Sequence, residues 1–482
     1  MMHLSAQQYA TSLQNIQSRY IWLELLNYQY QTIEEISGIC VSGSLSIDAN
    51  SDIRRTGSIK LIINNSTFEV ESGGKIWLDK YIRVWIGIKS LITGEIERVN
   101  CGMYLIDAPS YSYDPSNNNL TLSLLDLMAK LTGIRNGYLT QSPIVLKAGE
   151  NIRQAIIKTL ELAGFHKYIV EEAPSPGLIP NDLEFNRGNT FYDVLNGLKE
   201  IYPFYEMYFD IDGVFVYKHI PTGDNDPVLI RDDVWDNIVL SEDLSTNFQN
   251  VKNSIEVFGR IHEPEYTVFH ENVSVSSSTI TLSIPSIISY ADDLIYGFEM
   301  EAKAVVNNPM LKVNDLTAYP ILNDDGTKPT IPIEVGFPIF CVQYVNDVKR
   351  GKYWRWLGHL QAHGFAEDMN QESPYYINGP VGKIYMPLYD GEYANCITDD
   401  LAQQRAEYEL YMHTNMSNSV NLKCVPIYWF DVNILTEYTL KRNNKKSKYL
   451  IKSINLGLAP TDSMTINMIQ FYPNSPSIIQ EK

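Results

Sequence analysis

The sequence has few cysteines and no long apolar segment. Its five cysteines are odd in number and form no Cys-x-x-Cys pair: Cys40, Cys101, Cys341, Cys396 and Cys424. This spacing supports neither a disulfide scaffold nor a zinc knuckle. No run of about 18 apolar residues occurs, so no membrane-spanning helix is predicted, and residues 1–20 lack the apolar core of a signal peptide. We expect a chain that is made in the cytoplasm and stays soluble until it meets its partners.

Motifs of common catalytic sites are also missing. The patterns GxxxxGK[ST], GxGxxG, GxSxG and HExxH do not occur, so phosphate loops, serine nucleophiles and zinc-protease sites lack support. His359 and His363 have the spacing of a helical metal pair, but glycines flank them and no third ligand is placed. We predict no enzyme activity, no cofactor and no metal. A cell-wall-degrading enzyme stays open as an alternative, because glycosidase carboxylates have no fixed sequence spacing.

Positive charge is scarce. The chain has 38 lysines and arginines against 57 aspartates and glutamates, which gives a formal net charge of −19. Such a surface disfavours general binding of nucleic acid and repels DNA. Five basic residues do cluster in KRNNKKSK, residues 441–448, but without interleaved aromatic residues. This segment is interpreted as the exposed tip of a hairpin.

What the sequence does contain is mostly strand pattern. Apolar and polar residues alternate through most of residues 20–130 and again from 228 onward, with turn residues between the runs. Asp212-Gly213 predicts a tight hairpin turn. Helical spacing appears in three segments, residues 151–165, 189–201 and 398–416. The predicted caps are Gly164 for the first segment, Asn189 or Thr190 for the second, and Asp399 or Asp400 for the third.

One strand pattern occurs twice. MYLIDAPSYSYDPSNNNLTLSLLDL ends the first β-rich block, and KYLIKSINLGLAPTDSMTINMIQF ends the last. Each copy has a YLI strand, a polar turn and an alternating return strand. The similarity is explained either by chance between two hairpins or by an internal duplication with other modules between the copies.

Two short stretches carry unusual side chains. SGSLSIDANSDIRRTGSIKLII, residues 42–63, places Arg54 and Arg55 beside Asp48 and Asp52 where one predicted strand bends into the next. Ion pairs of these arginines with Asp48 or Asp52 would explain the cluster. WRWLG, residues 354–358, predicts either an aromatic pair on a strand or a glycan-stacking platform formed by Trp354 and Trp356.

Three longer segments resemble the hub proteins of tailed-phage tails. Residues 42–61 followed by GMYLIDAPSYSYDPSNNNLTLSLLDLMAKLTG resemble the opening domain of such hubs. LEFNRGNTFYDVLNGLKEIYPFYEMYFDIDGVFVYK resembles the small α/β module that follows. DDLAQQRAEYELYMHTNMSNSVNLKCVPIYWFDVN, with the closing YLIKSI, is similar to their second barrel. The order of these segments is what makes the resemblance specific.

The resemblance to phage and VgrG-type hubs implies a fold and a division of the chain. The expected fold is α+β and predominantly β, with two similar tube-like β barrels, a small α/β module and an inserted β-sandwich-like module. The expected domains, in chain order, are 1–135, the first barrel with an N-terminal arm; 136–227, the small α+β module; 228–262 with 376–482, the second barrel; and 263–375, the inserted module.

The resemblance also implies a function. Three chains with two barrels each would form a ring that joins the tail tube to spike, fibre or distal proteins and lines the path of DNA ejection. Arg54 and Arg55 would then pair with carboxylates within one chain or between subunits. The expected partners are other copies of the chain, the tail tube or distal tail protein, a spike, fibre or tape-measure protein, and DNA in passage. The expected location is the virion, after assembly in the host cytoplasm. A carbohydrate-binding receptor protein is the principal alternative.

Overall fold

A computed structural model describes residues 5–471, apart from 38–39, 64–67, 115–116, 141–142, 175–176, 181, 223–225, 301–304, 332–337, 348–349 and 416–417. The strands form large sheets and a nearly closed barrel, so the predicted α+β and predominantly β class is confirmed. Within the described residues, no helix has the length and apolar character needed to cross a membrane.

The N-terminal part begins with a short helix and continues with seven strands of one sheet. The helix is α1 (Ala6–Ser12), and the strands are β1 (Arg19–Leu26), β2 (Thr32–Ser37), β3 (Cys40–Asp48), β4 (Arg55–Ile62), β5 (Tyr81–Lys89), β6 (Ile96–Asp114) and β7 (Asn117–Leu125). Their order in the sheet is β3-β4-β7-β6-β5-β1-β2. Alternating apolar residues put one face of these strands into the core.

Two helices and five short strands follow. They are β8 (Ile144–Leu146), α2 (Ile152–Leu162), β9 (Tyr168–Val170), β10 (Leu183–Phe185), α3 (Phe191–Glu200), β11 (Tyr205–Phe209) and β12 (Phe215–His219). The order β11-β12-β9 forms a small sheet, and Asp210 N donates to Val214 O across the predicted turn at Gly213, whose φ is 74°. Of the two predicted caps of α3, Asn189 and Thr190, the structure has Thr190. Gly164 follows the end of α2, as predicted, with a φ of 83°.

The next strands belong to four different sheets. They are β13 (Val228–Ile230), β14 (Val239–Thr246) and β15 (Ser254–Ile261), followed by β16 (Tyr266–Val268), β17 (Val273–Ser276), β18 (Thr279–Leu282), β19 (Ile295–Glu299), β20 (Val306–Asn307), β21 (Met310–Val313), β22 (Tyr319–Leu322), β23 (Thr330–Ile331), β24 (Ile339–Asp347) and β25 (Gly351–His359). An eight-stranded sheet has the order β16-β19-β24-β25-β22-β21-β18-β17. All of its strands lie within the predicted inserted module.

The C-terminal part contains the longest helix and the remaining strands. They are β26 (Gln361–Glu367), β27 (Tyr385–Leu388), α4 (Asp399–Asn415), β28 (Asn418–Cys424), β29 (Leu435–Thr439), β30 (Lys446–Gly457) and β31 (Met464–Phe471). β26, β15 and β27 form a separate sheet against which α4 packs. β26 pairs with β15, although the two lie on opposite sides of a predicted module boundary. Residues 441–445 connect β29 to β30, so the basic segment begins at a hairpin tip as predicted.

The predicted cap of α4 is wrong. Thr398 rather than Asp399 or Asp400 caps the helix, because its hydroxyl accepts from Leu401 N at 3.2 Å. Asp399 is occupied elsewhere: its carboxylate accepts from the backbone N–H groups of His359 at 3.0 Å and His363 at 2.9 Å. These neighbours come from β25 and β26, which the local sequence around the helix cannot reveal.

Trp354 and Trp356 do not form a glycan platform. Trp354 is completely buried and its indole N–H donates to Leu311 O at 2.9 Å, while Trp356 is 8% exposed and packs on Phe340. The glycan-contact prediction for these two residues is corrected to core packing. Both lie in the hydrophobic core of the eight-stranded sheet, where a sugar ring has no access to an indole face.

The internal repeat is visible in the thirteen-stranded sheet. Strands β3-β4-β7-β6-β5 in its N-terminal part have the same order as β14-β28-β31-β30-β29 in its C-terminal part. Equivalent pairings also agree: Leu105 and Thr56 both lie opposite Leu125, and Leu450 and Ser419 both lie opposite Ile469. The two parts join edge to edge through β3 and β30 and share one hydrophobic core.

Candidate functional site: a buried arginine cluster between three parts of the chain

Arg54 and Arg55 lie where β3 turns into β4. Asp48 N donates to Arg54 O at 2.9 Å, and Asp48 Oδ1 accepts from Asn50 N at 2.9 Å, so the short polar side chain stabilises the turn. The turn directs both arginines inward, where they are 3% and 2% exposed. Buried guanidinium groups require charged or polar partners, which here come from distant segments.

Arg54 binds the small α+β part. Its Nη2 pairs with Glu206 on β11, which is itself buried. The guanidinium carbon lies 3.8 Å from the centre of the Tyr208 ring, which adds a cation–π contact. Lys218 on β12 places its Nζ 3.5 Å from the second oxygen of Glu206. The charge of Glu206 is therefore shared by two cations.

Arg55 connects the first part of the chain to two others. Its Nη2 lies 2.7 Å from Asp431 Oδ2, and its Nη1 donates to Phe209 O at 2.8 Å. Its backbone N–H donates to Asp126 Oδ2 at 2.9 Å. One residue therefore contacts the segment before β29, the end of β11 and the segment after β7.

The predicted partners Asp48 and Asp52 are not the ones that the arginines contact. Asp48 forms the turn described above, and Asp52 accepts from the Tyr192 hydroxyl of α3 at 2.5 Å. The pairs instead join different parts of the same chain. A prediction from neighbouring residues alone misses them because Glu206 and Asp431 are 152 and 376 positions away.

Burial and the two arginines set the protonation of the acids. Burial alone would raise the pKa of Asp431, but Arg55 and Arg54 outweigh it and lower that pKa below its ordinary value. Burial raises the pKa of Asp126 to about 6, although backbone N–H groups and the arginines oppose the shift. Asp431 is therefore the firmly ionised partner of Arg55.

A half-buried lysine completes the cluster. Lys452 on β30 donates from Nζ to Asn433 Oδ1 at 3.0 Å, and Asn433 Nδ2 in turn donates to Glu206. Burial lowers the pKa of Lys452 to about 8. The arrangement fixes three segments to one another, and within the described residues its cations already have protein partners.

A second ion cluster joins α3 to α4, and sequence analysis missed it. Arg405 is 8% exposed and contacts three carboxylates: Glu409 at 3.0 Å, Glu392 at 3.1 Å and Glu200 at 3.3 Å. The pair four residues apart in RAEYE was its only visible signal. A cavity of about 290 Å³ lies beside it, lined by Phe185, Ile201, Leu401 and Arg405 among others.

The histidine pair is held by carboxylates. His359 Nδ1 lies 2.7 Å from Asp399 Oδ2, and His363 Nε2 lies 2.7 Å from Glu256 Oε1. Across the described residues, no group of three or more histidine, cysteine, aspartate or glutamate side chains is arranged to hold a metal ion.

A family model described as a domain of unknown function, DUF5048, matches residues 372–475, which contain α4 and β27 to β31. No curated protein matches the chain in sequence.

Solved structures of phage tail proteins share the fold. The 43 kDa tail protein of prophage MuSo2 from Shewanella oneidensis aligns with a TM-score of 0.52 and 12% identity, covering 95% of this chain and 99% of that chain. The tail protein of Neisseria meningitidis MC58 aligns with a TM-score of 0.51 and 8% identity, with the same coverage of both chains. Prophage tail protein gp18 of Listeria monocytogenes EGD-e aligns less closely. Its TM-score is 0.45, with 9% identity over 95% of each chain. The chain has the fold of phage tail proteins, as the resemblance in sequence predicted.

Proposed function

We propose that the chain is the structural, non-enzymatic hub of a phage tail tip or baseplate. Copies of it form a ring, which the resemblance to phage hubs sets at three chains. The ring connects the tail tube or distal tail protein to spike, fibre or tape-measure proteins. In the virion, its bore forms part of the path through which DNA leaves.

The edge-to-edge joint between the two repeated sheets carries this proposal. Within one chain, β3 of the first sheet pairs with β30 of the second over five residue pairs. A repeated unit that joins in this way can continue the same joint into another copy, and closure of the series gives a ring without free edges. Three chains would supply six such sheets.

Rigidity and charge fit the same role. The Arg54–Arg55 cluster fixes the small α+β part to both repeated sheets, so a load on one part is transmitted to the others. A net charge of −19 also suits a channel through which DNA must slide without binding. The four domains predicted above, 1–135, 136–227, 228–262 with 376–482, and 263–375, remain part of this proposal.

The mass of the purified chain in solution tests the ring. Light scattering over a wide concentration range is expected to give three times 55.0 kDa, and electron microscopy of that species should show a ring with a central channel. A strict monomer at every concentration, also after addition of the neighbouring tail proteins, would contradict the proposal.

A further inference from the structure

We infer that the free edge of β14 pairs with β6 of a second copy of this chain. The pairing is antiparallel and involves residues 107–113, the outer half of β6. Ser245 would lie opposite Ser110 of the second copy, and Leu244 opposite Tyr111. The inference rests on the proposed ring and adds to it which strands meet and in which register.

The first of the two strands, β14, has an unpaired edge. β14 pairs on one side with β28 and, in the described part of the chain, has no strand on its other side. Most of its residues are exposed, including Leu240 at 60% and Leu244 at 42%, and Phe248 just beyond its end is 76% exposed. A strand with an unpaired edge and exposed leucines can pair with a strand of another chain.

The outer half of β6, residues 107–113, is also unpaired on one side, and Pro109 within it has no N–H to donate to a partner strand. β5 covers β6 only as far as Leu105, so residues 107–113 have β7 on one side and no described strand on the other. Tyr111 is 49% exposed and Tyr113 is 78% exposed. This second edge also presents apolar side chains to solvent.

The internal repeat shows how the two edges fit. Thr56 and Ser419 occupy equivalent places in the two sheets, and so do their neighbours Gly57 and Val420. Leu45 lies opposite Gly57 and Leu244 lies opposite Val420, so Leu45 and Leu244 are equivalent. The residues around them agree, with Leu-Ser at 45–46 and again at 244–245. β14 is therefore the second copy of β3.

The same comparison relates β6 to β30. Leu125 of β7 and Ile469 of β31 are equivalent, and so are Leu122 and Ile466, each three residues earlier. Pro109 lies opposite Leu122 and Ile454 lies opposite Ile466, so Pro109 and Ile454 are equivalent. It follows that Ser110 corresponds to Asn455 and Tyr111 to Leu456. The outer half of β6 is thus the first copy of the strand segment that binds β3.

The known joint fixes the register of the unknown one. In the chain, Leu45 lies opposite Leu456 and Ser46 opposite Asn455. Replacing each residue by its equivalent puts Leu244 opposite Tyr111 and Ser245 opposite Ser110. The pairing covers Leu244 and Tyr111 together, which removes apolar surface from water.

In an antiparallel pair of strands, hydrogen-bonded residue pairs alternate with non-hydrogen-bonded pairs, whose Cα atoms lie closer together. Ala49 N donates to Lys452 O at 2.9 Å, and Leu458 N donates to Gly43 O at 3.0 Å, so odd-numbered residues of β3 form the hydrogen-bonded pairs. Ser46 opposite Asn455 is then a non-hydrogen-bonded pair, and so is Ser245 opposite Ser110. Such pairs have Cα atoms about 4.5 Å apart, within the range that a disulfide spans.

Charge argues against β2, another free edge of the same sheet. β2 lies at the opposite end and carries Glu34 and Glu35, whereas β14 carries Glu242 and Asp243. Pairing β14 with β2, or with β14 of another copy, would bring like charges across the joint. In the outer half of β6, residues 107–113, Asp107 is the only charged residue.

Disulfide trapping tests the register. The double variant Ser245→Cys, Ser110→Cys is oxidised mildly and analysed on non-reducing gels, beside both single variants and the wild-type chain. We expect cross-linked species that extend to three chains and stop there. The matched control is Ser245→Cys with Ser112→Cys, which is displaced by two residues and should cross-link at least tenfold less.

A backbone variant gives an independent readout. The N–H of Leu244 points away from β28 in this arrangement, so Leu244→Pro should abolish the outer hydrogen bond but leave the β28 pairing intact. We expect the trimer fraction to fall at least tenfold, whereas Leu244→Thr, which keeps the N–H, should assemble nearly normally.

The outcomes separate this inference from the ring itself. A trimer in solution without cross-linking of the matched pair, or with faster cross-linking of the displaced pair, would overturn the register and leave the ring standing. Normal assembly of Leu244→Pro would do the same. A chain that stays monomeric under every condition would remove the ring, and the inference with it.

Discussion

Arg54 is a cation whose stabilisation depends on partners from another part of the chain. It is 3% exposed, and its principal partner Glu206 is 5% exposed, so neither group can turn to water when the other is removed. A broken buried pair costs far more than an exposed one because an uncompensated charge stays behind.

Replacement of Arg54 should therefore destabilise the protein strongly. We expect Arg54→Met to reduce the free energy of unfolding by about 3–5 kcal/mol, measured by chemical denaturation. The control Arg231→Met removes an exposed pair with Asp233 and should change it by about 1 kcal/mol at most. Arg54→Met combined with Glu206→Gln should recover part of the loss; equal effects of Arg54→Met and Arg231→Met would contradict this interpretation.

Lys452 should make stability depend on pH above neutrality. Its pKa is about 8 in the folded chain against an ordinary 10.5, so between these values the unfolded chain binds more protons. Stability from this group must then rise as pH increases from about 8 to 10.5, since the cost of a buried charge disappears. Its full size is on the order of 3 kcal/mol.

The comparison with Lys452→Met isolates that contribution. Denaturation of both proteins between pH 7 and 10.5 should show the wild type gaining stability relative to the variant as pH rises. Other lysines and tyrosines titrate in both proteins and cancel in the difference. A difference that stays constant with pH would show that Lys452 is not desolvated.

At the scale of elements, β25 illustrates how a strand is secured by its own aromatic residues. Trp354 is fully buried and has ring contacts with Tyr290, Tyr296 and Tyr344 at 5.1–5.2 Å between ring centres. Its indole N–H is also paired. The tryptophan is the centre of the eight-stranded sheet's packing rather than a surface residue.

Truncation of Trp354 should loosen that sheet. We expect Trp354→Ala to cost about 3–5 kcal/mol, because a cavity and an unpaired carbonyl remain. Hydrogen exchange should localise the loss to β19, β22, β24 and β25. Phe269→Ala is the control, since that ring is 55% exposed; wild-type exchange in Trp354→Ala would contradict the core assignment.

At the scale of the whole molecule, two ion clusters connect parts that have separate cores. The Arg54–Arg55 cluster joins both repeated sheets to the small α+β part, and Arg405 joins α4 to the end of α3 through Glu200. Most other ion pairs among the described residues are more exposed than these. Coupling between the parts should therefore depend on few side chains.

Removal of Arg405 should uncouple α3 from α4. We expect Arg405→Met to speed hydrogen exchange in the last turn of α3 and the middle of α4 together, because Glu200, Glu392 and Glu409 lose their common partner. Arg231→Met serves again as the exposed control. Faster exchange confined to α4 would show that the contact with Glu200 does not couple the helices.

The sequence by itself determined most of the local elements and indicated the repeat. Alternation predicted the strands of residues 20–130, helical spacing predicted α2, α3 and α4, and Asp212-Gly213 predicted a hairpin turn that the structure confirms. The YLI echo corresponds to the β6–β7 and β30–β31 hairpins, which pair in the same way. These features follow from the order of neighbouring residues, and the physical preference behind each is local.

Only the tertiary structure decided which distant groups meet. Arg54 binds Glu206 instead of Asp48 or Asp52, and Asp399 holds two histidines instead of capping α4. Of the two roles predicted for Trp354, a strand aromatic and a glycan contact, the structure has the first. A charged or aromatic side chain has many chemically suitable partners in 482 residues. Which of them it finds depends on how the sheets join, and that is set by burial of apolar surface over the whole chain rather than by any short stretch of it.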